Sequence, residues 1–327
     1  MPAPAKARVV SIGHSLATEN FIPQPQFIRQ MVAEGIRSFG NQPNEAAAWN
    51  RLFKFTDIIG IKVFSAPGEI IGTRPAVVAA MVESMLQSGI PKERIIIWDK
   101  YYHDLRRAGF HKLEERFGIR VRSSVSAKWD STASYENSII GKPIWGDHEF
   151  GRKGDDVGRK SYFSNLVTKE ITKHVIVSPL LNHNIGGVSG NLMSLAVGSV
   201  DNSIRFENRY AVMSEAVPEI FAQEYVIDRL ALVVVDALIS QYQGEEGNLL
   251  HYAKVVNQLR FSTDPVALDI MSVVELESQR KAAELPVRKT PRALFENAEL
   301  LQLGVANPKR IVIEHRDIGP ALPQRPR

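Results

Sequence analysis

The sequence predicts an α/β protein, a mostly parallel sheet with helices on both faces and an irregular insertion in the middle. Three observations carry this. Apolar runs without alternation, such as Asp57-Ile-Ile-Gly-Ile-Lys-Val-Phe64 and Arg94-Ile-Ile-Ile-Trp98, have the pattern of parallel strands covered on both faces. Between these two runs lies a segment of helical spacing, Arg74 to Gln87, which completes a β-α-β unit. The same alternation returns from His174 onward.

Taken in order, Arg8 to Gly13 reads as a first strand, and Pro25 to Phe39 as a helix with Phe27, Ile28, Met31, Val32 and Ile36 on one side. Asn44 caps a second helix that carries Trp49, Leu52 and Phe53. Thr73 is the expected cap of the helix that stops at Gly89. His174 to Ser178, Arg229 to Val235 and Lys254 to Arg260 read as strands. Asp264, followed by Pro265, starts a helix running to Arg280. Pro291 to Leu303 reads as a helix closed by Gly304, and Arg310 to Glu314 as a last strand. Arg122 to Gly158 is rich in Ser, Gly and charge and lacks a helical period; within it Ser138 to Trp145 reads as a hairpin or extended lobe. One α/β domain over 7–316 is expected, with 122–160 as an inserted lobe and 317–327 as a tail.

Composition narrows the function. Of 327 residues 44% are hydrophobic and 23% charged, which suits a globular chain with a sizeable core. Lys and Arg total 40 against 36 Asp and Glu, a net charge of +4 without a basic run, so no nucleic-acid partner is expected. With zero Cys there is no disulfide, thiolate nucleophile or Cys-held zinc, and no iron–sulfur cluster in this chain. The eight His, the carboxylates and backbone oxygens are left for any metal, whose identity is unknown at this stage. The longest apolar stretch, Leu230 to Val235, is far short of a membrane span, and the N-terminus has no apolar signal region. Cytoplasmic residence, and export with the signal missing from the chain, both remain open. So does the oligomeric state.

Candidate chemistry gathers in a few places. Ser178-Pro-Leu-Leu-Asn-His183-Asn-Ile-Gly186-Gly-Val-Ser-Gly190-Asn191 runs from a strand through a Gly-rich loop into a helix. Gly186, Gly187, Gly190 and Asn191 read as a cradle for an anionic group, since free N–H groups at a helix start attract anions. His183 reads as a base or a metal ligand, or else as a residue bonded to backbone. Asp269 sits among Val266, Ala267, Leu268 and Ile270, where an acid needs a partner or a pocket. Asp264 has the pattern of a plain helix cap. Asp99 ends a strand and is read either as a pocket residue or as a cap for the helix near His103. Lys62 is placed either on an edge strand or facing an anion. Asp147-His148-Glu149 has the composition of a metal site, and Gly151 to Lys160 that of a mobile lid or a solvated loop. The expected picture is one pocket at the strand carboxyl ends. His183, Asp269 and Asp99 are the catalytic candidates, while Lys62, Gly186, Gly187, Gly190 and Asn191 hold a small anionic molecule.

Together the blocks resemble the domain-of-unknown-function family 362. They are Asp57 to Phe64; the helix from Thr73 with Gly89 to Asp99; Pro179 to Gly198; Asp236-Ala-Leu; Ser262 to Asp269; and Ala298 to Pro308. The resemblance covers roughly Val9 to Glu314. It implies membership of an uncharacterised bacterial and archaeal group that is sometimes fused to ferredoxin modules, many members of which carry twin-arginine export signals. That family carries Lys at the places held here by Leu181 and Met193. The third block is also distantly similar to the nickel-pincer lactate racemases, whose cofactor-holding Lys falls at Met193. The resulting expectation is a small-molecule enzyme acting on an anionic, oxygen-rich ligand, possible metal assistance included. The alternatives are a binding protein without turnover and a pincer-type racemase or hydride-transfer enzyme.

Overall fold

The computed structural model describes residues 6–137, 159–207, 209–286 and 290–320. Its strands are β1 (Ala7–Gly13), β2 (Thr18–Glu19), β3 (Ile22–Pro23), β4 (Ile59–Val63), β5 (Ile95–Asp99), β6 (Arg120–Ser123) and β7 (Trp129–Glu136). Six more follow: β8 (Lys160–Ser164), β9 (Lys173–His183), β10 (Gly187–Val188), β11 (Leu230–Gln241), β12 (Ala253–Ser262) and β13 (Ile311–Asp317). The main sheet has the order β13-β1-β12-β11-β9-β4-β5-β6, with β10 paired to the end of β9. From β11 to β6 every pairing is parallel. β12 runs against both its neighbours, the short β10 runs against β9, and β13 is again parallel to β1.

The non-alternating runs behave as their pattern requires. Ile59, Ile61, Val63, Ile95, Ile97, Val175, Val177, Leu232 and Val234 face one core, shared with the helices Pro25–Gly40, Glu45–Leu52 and Pro75–Gln87. Ile96, Trp98, Ile176, Leu180, Val233 and Val235 face a second core under the helices Asn191–Ser199, Tyr210–Phe221, Pro265–Ala282 and Ala293–Leu300. The sheet is thus buried on both sides, as the fold class predicts.

Asn44 caps its helix by accepting from the Ala47 N–H, and Asp264 does the same with Ala267. Thr73 does not cap. The helix begins at Pro75, and the Thr73 hydroxyl donates to the Val177 carbonyl at 2.6 Å while accepting from the Phe64 N–H at 2.9 Å. In the middle region β7 and β8 pair antiparallel across the insertion. The expected hairpin at 138–145, the acidic trio at 147–149 and most of the loop at 151–160 lie outside the described residues. Among the described residues no helix is long and apolar enough to cross a membrane.

The chain runs outward from β4 to β5 to β6, then returns to place β9 on the other flank of β4. That reversal makes a topological switch point beside the carboxyl ends of β4 and β5.

Candidate functional site

Lys62 is on a central strand, not an edge, and it is fully buried. Its Nζ donates to Asp99 Oδ1 at 2.8 Å, to the Val63 carbonyl at 2.8 Å and to Ser194 Oγ at 2.9 Å. These three bonds use all the hydrogens of an ammonium group. Burial lowers the Lys62 pKa, and Asp99 opposes that shift. The Lys62 stem passes over Gly198, where a Cβ would fall 2.3 Å from Lys62 Cε. Asp99 does not cap the following helix, whose cap position is Tyr101. Its second oxygen accepts from the Ser65 N–H at 2.8 Å and from Ser65 Oγ at 2.6 Å, and Oδ1 also accepts from the Lys100 N–H. The anion that Lys62 faces is therefore the chain's own.

The Gly-rich loop follows the same rule. β9 turns at His183 and β10 folds back on it. Asp269, 2% exposed, fills the start of the helix Asn191–Ser199. Its Oδ1 accepts from the Asn191 N–H and from Asn191 Nδ2, both at 2.7 Å, and Oδ2 accepts from the Leu192 N–H at 3.0 Å. The expectation that Asp269 is buried with a partner is met. The expectation that Gly190 and Asn191 cradle a ligand needs correction, because the cradled anion is Asp269. Gly190 is glycine for this reason, since a Cβ there would lie 2.2 Å from Asp269 Oδ1. Gly187 has φ +83 and closes the turn onto Thr290. Gly186 donates its N–H to His183 Nδ1 at 2.9 Å.

A third pair of the same kind joins Arg74 to Asp236. Both are buried; the guanidinium donates to Asp236 Oδ1 at 2.9 Å and to the carbonyls of Ile70 and Ile239. The blocks that carry the family resemblance thus bond to one another. Lys62 meets Asp99 and Ser194, Arg74 meets Asp236, and Asn191 meets Asp269.

Beyond these closed pairs, two of the cavities among the described residues border the expected site residues, and they share no lining residue. The first, about 380 Å³, lies at the switch point, against Phe64, Asp99, Lys100, Met193 and Ser194. The buried Lys100 is its cationic floor. Lys100 Nζ donates to Ser203 Oγ and lies 5.8 Å from the Tyr101 ring centre. Asp104, Glu207 and Glu246 supply carboxyls, and His103 and Arg107 lie beside them. Burial lowers the Lys100 pKa, opposed chiefly by Glu207. Burial raises those of Asp104 and Glu246, with Asp104 and Glu245 adding to the rise at Glu246.

The second cavity, about 390 Å³, is lined by His183, Tyr210, Tyr242, Glu277, Arg280 and Thr290 among others. The expectation that His183 shares one cavity with Lys62 or Asp99 is therefore corrected. Asp99 lines the first cavity, His183 and Gly187 the second, and Lys62 neither. Because a backbone N–H can only donate, Nδ1 of His183 must be unprotonated and the neutral ring carries its hydrogen on Nε2. Burial lowers the ring's pKa. In that state the one hydrogen-bond donor of the ring is the Nε2–H, and Nε2 has no lone pair left for a proton or a metal.

The residues do not fit a pincer cofactor, since Met193 replaces the holding Lys in one cavity while the His faces another. Among the described residues no three His, Asp or Glu gather into a metal-binding group. Lys100 directly follows the strand-ending Asp99 and stands in no motif of its own. Glu207 and Glu246 gave no local signal, since neither stands in a motif.

No family model matches the chain, and no curated protein matches it. Among solved structures it is similar to a Thermotoga maritima protein solved as a structural-genomics target, with 11% identity and a TM-score of 0.44. That match covers 84% of this chain, which spans 62% of the other's length. A mitochondrial aspartate aminotransferase from Trypanosoma brucei aligns at 13% identity and a TM-score of 0.21, over 95% of this chain and 73% of that one.

Proposed function

We propose that the cavity at the carboxyl ends of β4 and β5 binds a small, oxygen-rich anionic molecule and carries out proton transfer on it. Lys100 is the anion's partner, in the role first expected of Lys62. The observation that supports this is the state of its ammonium. It is buried in the cavity floor, and among the described residues its hydrogen-bond acceptor is the Ser203 hydroxyl. Two of its three hydrogens are left for a ligand. The lining also draws the Lys100 amine down in pKa and the Asp104 and Glu246 carboxyls up, the clustered perturbation that marks a candidate site for proton transfer. Resemblance to the domain-of-unknown-function family 362 accords with a shared pocket here, because the place of that family's second Lys, Met193, is in the lining. The same Met193 favours a second reading, binding without turnover, since an uncharged thioether replaces a catalytic-grade amine.

A thermal-shift panel of hydroxy acids, phosphates and nucleotides tests the binding. A ligand at about 100 times its Kd should add ~2.7 kcal/mol to wild-type stability. Lys100→Met should remove most of that shift, and an undiminished shift would refute the assignment. Solvent deuterium appearing in the bound molecule, followed by NMR, separates proton transfer from simple binding.

A further inference from the structure

We infer that the His183 cavity is a second, separate binding site, and that it takes a monocarboxylate joined to an apolar or aromatic body. Arg280 and the His183 Nε2–H are the donors that receive the carboxylate.

Arg280 lies on the helix Pro265–Ala282 and lines the cavity. Among the described residues its guanidinium makes no hydrogen bond or ion pair, and its Nε is buried without an acceptor. A buried donor left unmade is unfavourable, and such groups in a folded protein call for an explanation. The nearest acid on the same helix face does not supply it. Glu277 accepts from the Thr290 N–H at 3.0 Å and from Arg292 at 3.2 Å, so its charge is already matched. Arg280 thus brings an uncompensated planar fork to the cavity, the shape that grips a carboxylate with two parallel bonds.

His183 adds a donor of fixed sense. The Gly186 N–H holds Nδ1 as an acceptor, so the ring hydrogen sits on Nε2, and the ring lines the cavity. Tyr210, Tyr242, Ile185, Val273 and Leu276 give the cavity an aromatic and apolar wall for an uncharged ligand body, beside the polar Asn182, Asn184 and Thr290. Glu245 sets the limit on charge. Its carboxylate accepts from the Asn184 N–H at 2.6 Å and acts electrostatically on His183. A polyanion such as a nucleotide would be repelled there, while a single carboxylate is balanced by Arg280.

Ligand-observed NMR titration of the full chain with phenylacetate tests this, with 2-phenylethanol as the uncharged analogue and benzyl phosphate as the dianion. Phenylacetate should bind, the alcohol should not, and the phosphate should bind more weakly. Arg280→Gln should weaken phenylacetate binding by about tenfold or more. Lys100→Met should leave it unchanged, which separates this cavity from the first. Long-range ¹H–¹⁵N spectra of the His183 ring give a readout that does not depend on a variant. They should show the Nε2–H tautomer and a shift on adding phenylacetate. Absence of saturable phenylacetate binding to the wild type, equal binding by Arg280→Gln, or loss of binding in Lys100→Met would each overturn the inference.

Discussion

Arg74→Met is expected to lower the free energy of unfolding by about 3–5 kcal/mol, because it strands a buried carboxylate. Asp236 and Arg74 are both all but inaccessible to solvent. In the variant Asp236 keeps the N–H of residue 74 and a long bond from the Leu238 N–H at 3.3 Å but loses its counter-charge. The carbonyls of Ile70 and Ile239 lose their donor at the same time. The double variant Arg74→Met, Asp236→Leu should recover a large part of the loss, since charge and partner leave together. Urea denaturation of both single variants and the double variant measures this. A loss below about 1 kcal/mol for Arg74→Met, the range of a solvent-exposed pair, would contradict the buried pairing.

The second large effect is a pH dependence from Asp269. Burial pushes this carboxyl up to about 7, against the N–H groups of Asn191 and Leu192, which hold it down. An acid whose pKa rises on folding binds its proton more tightly in the folded state. Stability from that group is complete below the unfolded pKa, near 4, and is lost as pH rises to about 7. The span is about 4 kcal/mol on a scale of ~1.4 kcal/mol per pH unit. Asp269→Asn removes the titration and carries only a constant offset. Asp264, pushed up to about 6 by burial, slopes in the same direction but is present in both proteins. The wild-type stability minus that of Asp269→Asn should therefore fall between pH 4 and pH 7 and level off above. Parallel stability curves would show that Asp269 is ionised throughout.

Much of the fold was legible because burial on both faces leaves a mark at every position of a strand. The run Ile95-Ile-Ile-Trp98 has no polar alternation, and each of its residues is buried. Helix starts were legible where a side chain caps its own turn, as at Asn44 and Asp264. The reversed direction of β12 was not, since direction depends on its neighbours in the sheet rather than on its own residues. The site was legible in part. Glycine density in the third block signalled a close approach, but the group approaching is Asp269, 78 positions beyond Asn191. Lys62 signalled an anion, and that anion is Asp99, 37 positions away. Sequence marks the need for a partner, while folding supplies its identity. Lys100, Glu207 and Glu246 come together only where the chain after β5, the helix Ile204–Glu207 and the turn after β11 meet.

Native mass spectrometry bears most directly on the cavity at the switch point. Wild type, Lys100→Met and Arg280→Gln would be incubated with the anion that gives the largest thermal shift. The predicted result is a one-to-one adduct on wild type and on Arg280→Gln, and none on Lys100→Met. An adduct that survives Lys100→Met, or that Arg280→Gln alone abolishes, would contradict the assignment of that anion to Lys100.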